Sequence, residues 1–127
     1  MKQEDKELLF KDLCGRLPYA IKIAYRCNHI HELRAAHKSD TILVTDIITD
    51  ECITTSIENV TPYLFPMSSM TEEQKKEFAN LLVYSSSVEM IQITGESTYD
   101  WLNKNMFDWR GLIPKGLAIN ATGLNIY

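Results

Sequence analysis

Two hydrophobic periods meet near the start of this chain, and that switch restricts the fold more than any other feature. Leu8, Leu9, Leu13 and Leu17 recur at helical spacing. From Tyr19 the period falls to two: Tyr19, Ile21, Ile23 and Tyr25 alternate with Ala20, Lys22, Ala24 and Arg26, as in a strand with one buried face. The spacing predicts a short amphipathic helix over 5–14, with Glu4, Asp5 and Glu7 placed where the helix dipole favours negative charge. Gly15 is expected to cap that helix in the left-handed conformation, and Pro18 to stop it from continuing. A helix followed directly by a half-buried strand points to a mixed α+β fold.

Further elements are legible along the chain. Residues 30–36, IHELRAA, lean towards strand. Residues 41–48, TILVTDII, and 52–57, CITTSI, are rich in β-branched residues, and the three residues between them fit an antiparallel hairpin. TPYLFPMSS, with two prolines, suits an ordered connector better than a regular element. A second helix begins at Ser69 or Thr71, since S-x-x-E and T-x-x-Q both satisfy capping-box spacing; Phe78, Leu81 and Leu82 form its apolar face and Ser85, Ser86 and Ser87 its end. Residues 88–93, VEMIQI, read as a short strand, and a third helix starts near Ser97 or Thr98 and carries Trp101 and Leu102. FDWRGLIPKG is loop-like, and the apolar closing residues suggest a docked tail. The expected architecture is one α+β domain over 1–127, β-rich in 1–60, with a connector at 61–70 and a helical and mixed part at 71–127. Its small antiparallel sheet has room to curl towards a barrel, with about three helices packed on one side or at one end.

Composition narrows the setting. The chain is 45% hydrophobic and 24% charged, enough to build a core without staples. No run reaches the roughly 20 apolar residues of a membrane span, and MKQEDKELLFKDL lacks a signal-type apolar region. Cys14, Cys27 and Cys52 are odd in number and far apart, so a reducing cytoplasm is the expected compartment. A net charge of −4 opposes broad binding to nucleic acid, which requires Lys and Arg to displace counterions. That charge is unevenly spread: residues 1–38 sum to +3, residues 39–74 to −7 and residues 75–127 to 0. The acidic middle is either a solvated sheet face or a docking surface for a basic partner.

Three groups of residues could carry chemistry. Cys27, His29 and His31 alternate as on one strand face and are a zinc-type ligand set, with His37 or Cys52 as a fourth ligand. Against it, no C-x-x-C pair accompanies them, and the same residues fit a small buried thiol beside histidines at a solvated strand end. As a Cys-His nucleophile and base they lack an orienting carboxylate nearby. Asp46, Asp50 and Glu51 lie in or beside the hairpin turn, where Asp is favoured for local backbone hydrogen bonds, and they are also the centre of the acidic stretch. Trp101, Phe107 and Trp109 bunch with Lys104 and Arg110; Trp101 is expected in the core, while Phe107, Trp109 and Arg110 serve either packing or an interaction surface. There is no glycine-rich phosphate loop, nucleophile elbow or H-E-x-x-H pair, so no catalytic residue is assigned.

The stretches DLCGRLPYAIKI, PYLFPMSSMTEEQ, FDWRGLIPKGLAINA and ATGLNIY resemble a group of small uncharacterised proteins of gut-associated anaerobic bacteria and their prophages. The resemblance covers the N-terminal helix and first strand, the proline segment with its capped helix, and most of the C-terminal third, and it leaves about 27–56 unmatched. It implies a mobile-element origin and transfers no catalytic residue. Phage-borne proteins of this size commonly act by binding host machinery, and inhibitors of defence nucleases, including anti-CRISPR proteins, belong to that class. The leading expectation is therefore a non-enzymatic protein that binds a host protein or nucleoprotein complex, without a cofactor. A zinc protein using Cys27, His29 and His31, and a structural or accessory part of a phage particle, are the alternatives.

Overall fold

Leu9 and Leu13 draw the first helix onto the sheet by burying completely. In the computed structural model, which describes residues 1–25, 29–38, 40–84 and 98–127, that helix is α1 (Gln3–Arg16). It runs through Gly15 and passes into a 3-10 turn at Leu17–Tyr19, and the left-handed residue is Ala20 (φ 58°). Gly15 is thus not the cap. It is small because α1 crosses the third helix there: a Cβ at this position would meet the Asn103 side-chain amide at 3.1 Å.

The period-two segment becomes β1 (Lys22–Ala24), with Ile21 and Ile23 buried, and Ile30–Lys38 forms β2 antiparallel to it. β3 (Thr41–Asp46) and β4 (Cys52–Ser56) make the expected antiparallel hairpin, Val44 facing Ile53. β2 carries two bulge-like register shifts against β3, between Leu33 and Ala35 and between Ala36 and Lys38.

The proline segment departs from expectation. Thr61–Pro66 is a strand, β5, antiparallel to β1 with Pro62 opposite Ile23, and only Met67–Ser69 is a turn, of 3-10 type. Pro62 is its second residue and Pro66 its last, near the ends where a missing ladder donor is best tolerated. The other edge of β5 takes two short parallel partners, β6 (Phe107–Asp108) and β7 (Ile119–Asn120). The sheet order is β4-β3-β2-β1-β5-β6, with β7 also on β5. Among the described residues it is mostly antiparallel, mixed at the β5 edge, and does not close into a barrel. The α+β class holds.

Thr71 caps α2 (Glu72–Tyr84): its amide donates to Gln74 Oε1 at 2.9 Å and its hydroxyl accepts the Gln74 amide at 3.1 Å. Ser69 instead donates to the Pro66 carbonyl at 2.6 Å. Phe78 and Leu81 pack with Trp101, Leu102, Phe107 and Met70 in a second apolar cluster beside the main core. α3 (Thr98–Lys104) supplies Trp101 and Leu102. The Leu82 side chain, the helix end at Ser85, Ser86 and Ser87, the strand at 88–93 and the helix start at Ser97 lie outside the described residues. The tail is docked as expected: the Tyr127 hydroxyl donates to the Tyr63 carbonyl at 2.8 Å and accepts the Lys22 amide at 3.0 Å. No described helix is long and apolar enough to cross a membrane.

Candidate partner-binding surface

Asp46 ends β3 and organises the turn into β4. Its carboxylate oxygen Oδ1 accepts the amides of Ile48 at 2.8 Å and Thr49 at 3.3 Å. The Asp46 amide donates to the Glu51 carbonyl, the Asp50 amide to the Asp46 carbonyl, the Ile47 amide to the Ile30 carbonyl, and the Glu51 amide to Thr49 Oγ1. Every backbone N–H from Asp46 to Glu51 therefore has an acceptor, with Asp50 in the left-handed region (φ 60°) where Asp is tolerated. On this fully bonded turn Ile48 is 70% exposed and Ile47 42%, beside the exposed Asp50 and Glu51. An apolar side chain held outward by satisfied backbone bonds is placed there by the turn itself, because a loose loop would leave such donors to water.

Two histidines back the turn. His29 Nδ1 donates to Asp46 Oδ2 at 2.6 Å, and His31 Nδ1 donates to the His29 carbonyl at 3.1 Å. His31 is 1% exposed, opposite Ile23 in the ladder and edge-on to Tyr25, so it is a core histidine and not part of a solvated strand end. A cavity of about 320 Å³, lined by Tyr25, His29, His31, Asp46, Thr49, Glu51 and Ile53, opens beside the turn.

Asp46 is thus chiefly a structural carboxylate, 6% exposed. Burial, the largest influence, opposes its ionisation. The hydrogen bonds from His29, Ile48 and Thr49, with the charge of His29, together outweigh burial and take the carboxyl from 3.8 to about 2. With the folded value depressed, ionised Asp46 stabilises the fold fully above its unfolded pKa, and this contribution disappears as pH falls from about 4 through about 2. The urea midpoint of the wild type should therefore exceed that of Asp46→Asn at pH 6, with the gap closing over that acid window. A gap that stays constant from pH 6 to about 2 would contradict the assignment.

Among the described residues no three His, Cys, Asp or Glu side chains are placed to hold a metal ion. Cys27 lies outside the described residues. His37 is exposed at the far end of β2, roughly 20 Å along the strand from His31. Cys52 is an exposed free thiol whose sulfur lies 3.4 Å from Thr45 Oγ1, and it does not line the cavity; Cys14 is likewise exposed and free.

The aromatic segment is also placed differently from an open surface. Phe107 is 2% exposed and stacks on Trp101, so it is core and not a contact residue. Trp109 Nε1 donates to Asn103 Oδ1 at 2.9 Å, and the Arg110 guanidinium lies 4.0 Å from the Trp109 ring centroid while Nε reaches Asp12 Oδ1 at 3.2 Å. Both are half-buried and engaged within the fold. Of the six residues expected at an interface, Asp50 and Glu51 remain on an open surface, and the structure adds Ile48. Its signal was the Asp46-to-Thr49 spacing, where an Asp side chain caps a turn and ends the strand before the two isoleucines.

Among the described residues, the fold and this turn define an α+β domain with an exposed, fully hydrogen-bonded turn that is both acidic and apolar. Comparison of the chain with protein-family models, curated proteins and solved structures finds no match.

Proposed function

We propose that the protein is a non-enzymatic binding module whose β3–β4 turn engages a basic host protein, such as a nucleic-acid-handling complex, in the manner of an anti-defence inhibitor carried by a mobile element. The observation that carries this reading is Ile48, 70% exposed on a turn with no unsatisfied backbone donor and flanked by Asp50 and Glu51. A pre-ordered turn loses little conformational entropy on docking, so its apolar contact is retained as affinity. Carboxylates around an apolar anchor suit a pocket rimmed by Lys or Arg and speed encounter with it. The ion pairs favour this end of the acidic stretch: Glu58 is already paired with Lys6 at 2.8 Å, whereas Asp50 and Glu51 have no ion pair among the described residues.

Affinity capture from host extract with immobilised wild type, and with the Asp50→Lys, Glu51→Lys double variant, tests the reading. The wild type is expected to retain a basic protein whose binding weakens with added salt. The double variant should lose that protein by about tenfold or more in affinity at unchanged melting temperature. Adding Ile48→Ser should lose a further factor of about ten. Equal retention by wild type and both variants would rule this surface out.

A further inference from the structure

At the other end of β1 and β5 from the hairpin turn lies a second cavity, of about 470 Å³, within the roughly 300–1,000 Å³ of small-molecule sites. We propose that it binds a mononucleotide. Phe65 and Tyr127 form its aromatic wall, with ring centroids 5.8 Å apart. The Tyr127 ring is fixed there through the hydrogen bonds of its hydroxyl to Tyr63 and Lys22. With the two ring planes tilted by 52°, a flat heterocycle lays its π face on one ring and meets the other at its edge.

The polar groups add a complementary pair. Gln74 uses its Oε1 to accept the Thr71 amide at 2.9 Å, which fixes the orientation of its amide and leaves the Nε2 donors to spare. Asn105 uses Nδ2 to donate to the Trp101 carbonyl at 2.9 Å, which leaves Oδ1 as an acceptor. Because each partner is a backbone group of fixed polarity, neither amide can be flipped without losing its bond. Gln74 thus brings spare N–H donors to the cavity and Asn105 a free carbonyl oxygen, a donor and an acceptor of the kind a nucleobase edge presents in reverse.

The charge pattern supplies the third element. No Asp or Glu lines this cavity although the chain carries a net charge of −4, and Lys104, its one charged lining residue, has no ion pair among the described residues. The Thr71 hydroxyl accepts the Gln74 amide at 3.1 Å and keeps its proton to donate. Lys104 and Thr71 together suit a phosphate attached to the stacked base.

Titration of the full chain with AMP, GMP, CMP and UMP, followed by NMR chemical shifts, tests the proposal, with the four matching nucleosides and inorganic phosphate as controls. At least one mononucleotide should saturate with shifts at Phe65, Gln74 and Asn105, and the matching nucleoside should bind about tenfold more weakly. Inorganic phosphate alone should not saturate. Lys104→Ala, at an exposed position, should bring the nucleotide down to the affinity of its nucleoside without changing the melting temperature, and Asn105→Ala should weaken nucleotide and nucleoside alike. The absence of saturation by all four mononucleotides at millimolar concentration would overturn the proposal. So would binding that neither folded variant alters, or phosphate binding as tight as that of the nucleotide.

Discussion

Asp12→Ala is expected to lower the folding free energy by about 3–5 kcal/mol, because it strands a guanidinium that has no access to water. Asp12 and Arg16 lie one turn apart on α1, both at 0% exposure, with Arg16 Nε 2.8 Å from Oδ2 and Nη2 3.1 Å from Oδ1. Arg16 Nη2 also donates to the Phe107 carbonyl at 2.6 Å, and Arg110 reaches Asp12 from the other side. The network thus ties α1 to β6 and to the loop after it, and removing the Asp12 carboxylate leaves two cations facing each other. Urea denaturation reads the loss directly. Asp12→Asn, which keeps an acceptor but not the charge, should fall between wild type and Asp12→Ala. A loss below about 1 kcal/mol for Asp12→Ala would mean that Arg16 finds other partners and that the pair does not anchor α1.

Trp101→Ala is expected to cost a similar amount, about 3–5 kcal/mol, by emptying the centre of the second cluster. The indole stacks between Phe78 of α2, centroids 5.8 Å apart, and Phe107 of β6, 5.7 Å apart, and its Nε1 donates to Glu77 at 3.1 Å. It lies at the centre of the cluster in which α2 packs on α3 and the sheet edge. Amide hydrogen exchange should therefore show α2 losing protection while β1, β2 and β3 keep most of theirs, since their core is built from other residues. Trp101→Phe retains the stacking and leaves only Glu77 without its donor, so it should cost less. Equal loss of protection in α2 and in β2 would show one cooperative unit in place of two packed clusters.

Which features the sequence discloses depends on how local their causes are. The Leu9–Leu13 stripe, the Ile21–Ile23 alternation, the β3–β4 hairpin and the Thr71–Gln74 capping box each depend on residues within one turn or one strand, and each is readable. β5 is not, because Pro62 and Pro66 suggest a connector unless one knows that they fall near the strand's ends. Gly15 reads as a cap because a close approach to Asn103, 88 positions away, leaves no local trace. Asp12 and Arg16 look like a solvated i,i+4 pair, and only packing against Phe107 and Arg110 reveals that they are buried.

The candidate surface is half legible for the same reason. Asp50 and Glu51 emerge from charge alone and lie where a partner can reach them. Asp46 emerges too, but its bonds to Ile48, Thr49 and His29 make it a scaffold in place of a contact. Ile47 and Ile48 extend a β-branched run and so read as strand, whereas the side-chain cap of Asp46 ends the ladder before them and turns Ile48 outward. Phe107 fails as a surface residue because composition cannot distinguish an aromatic stacked on Trp101 from one awaiting a partner.

Under the proposed function, the hairpin tip acts on the partner, and the other chemistry-bearing side chains around it hold that tip in position. Amide hydrogen exchange on the protein, free and in complex with a captured partner, addresses this most directly. New protection concentrated between Asp46 and Cys52, with the Trp109–Arg110 segment unchanged, is the predicted outcome. Protection confined to the Trp109–Arg110 segment, with the hairpin exchanging as in the free protein, would contradict it.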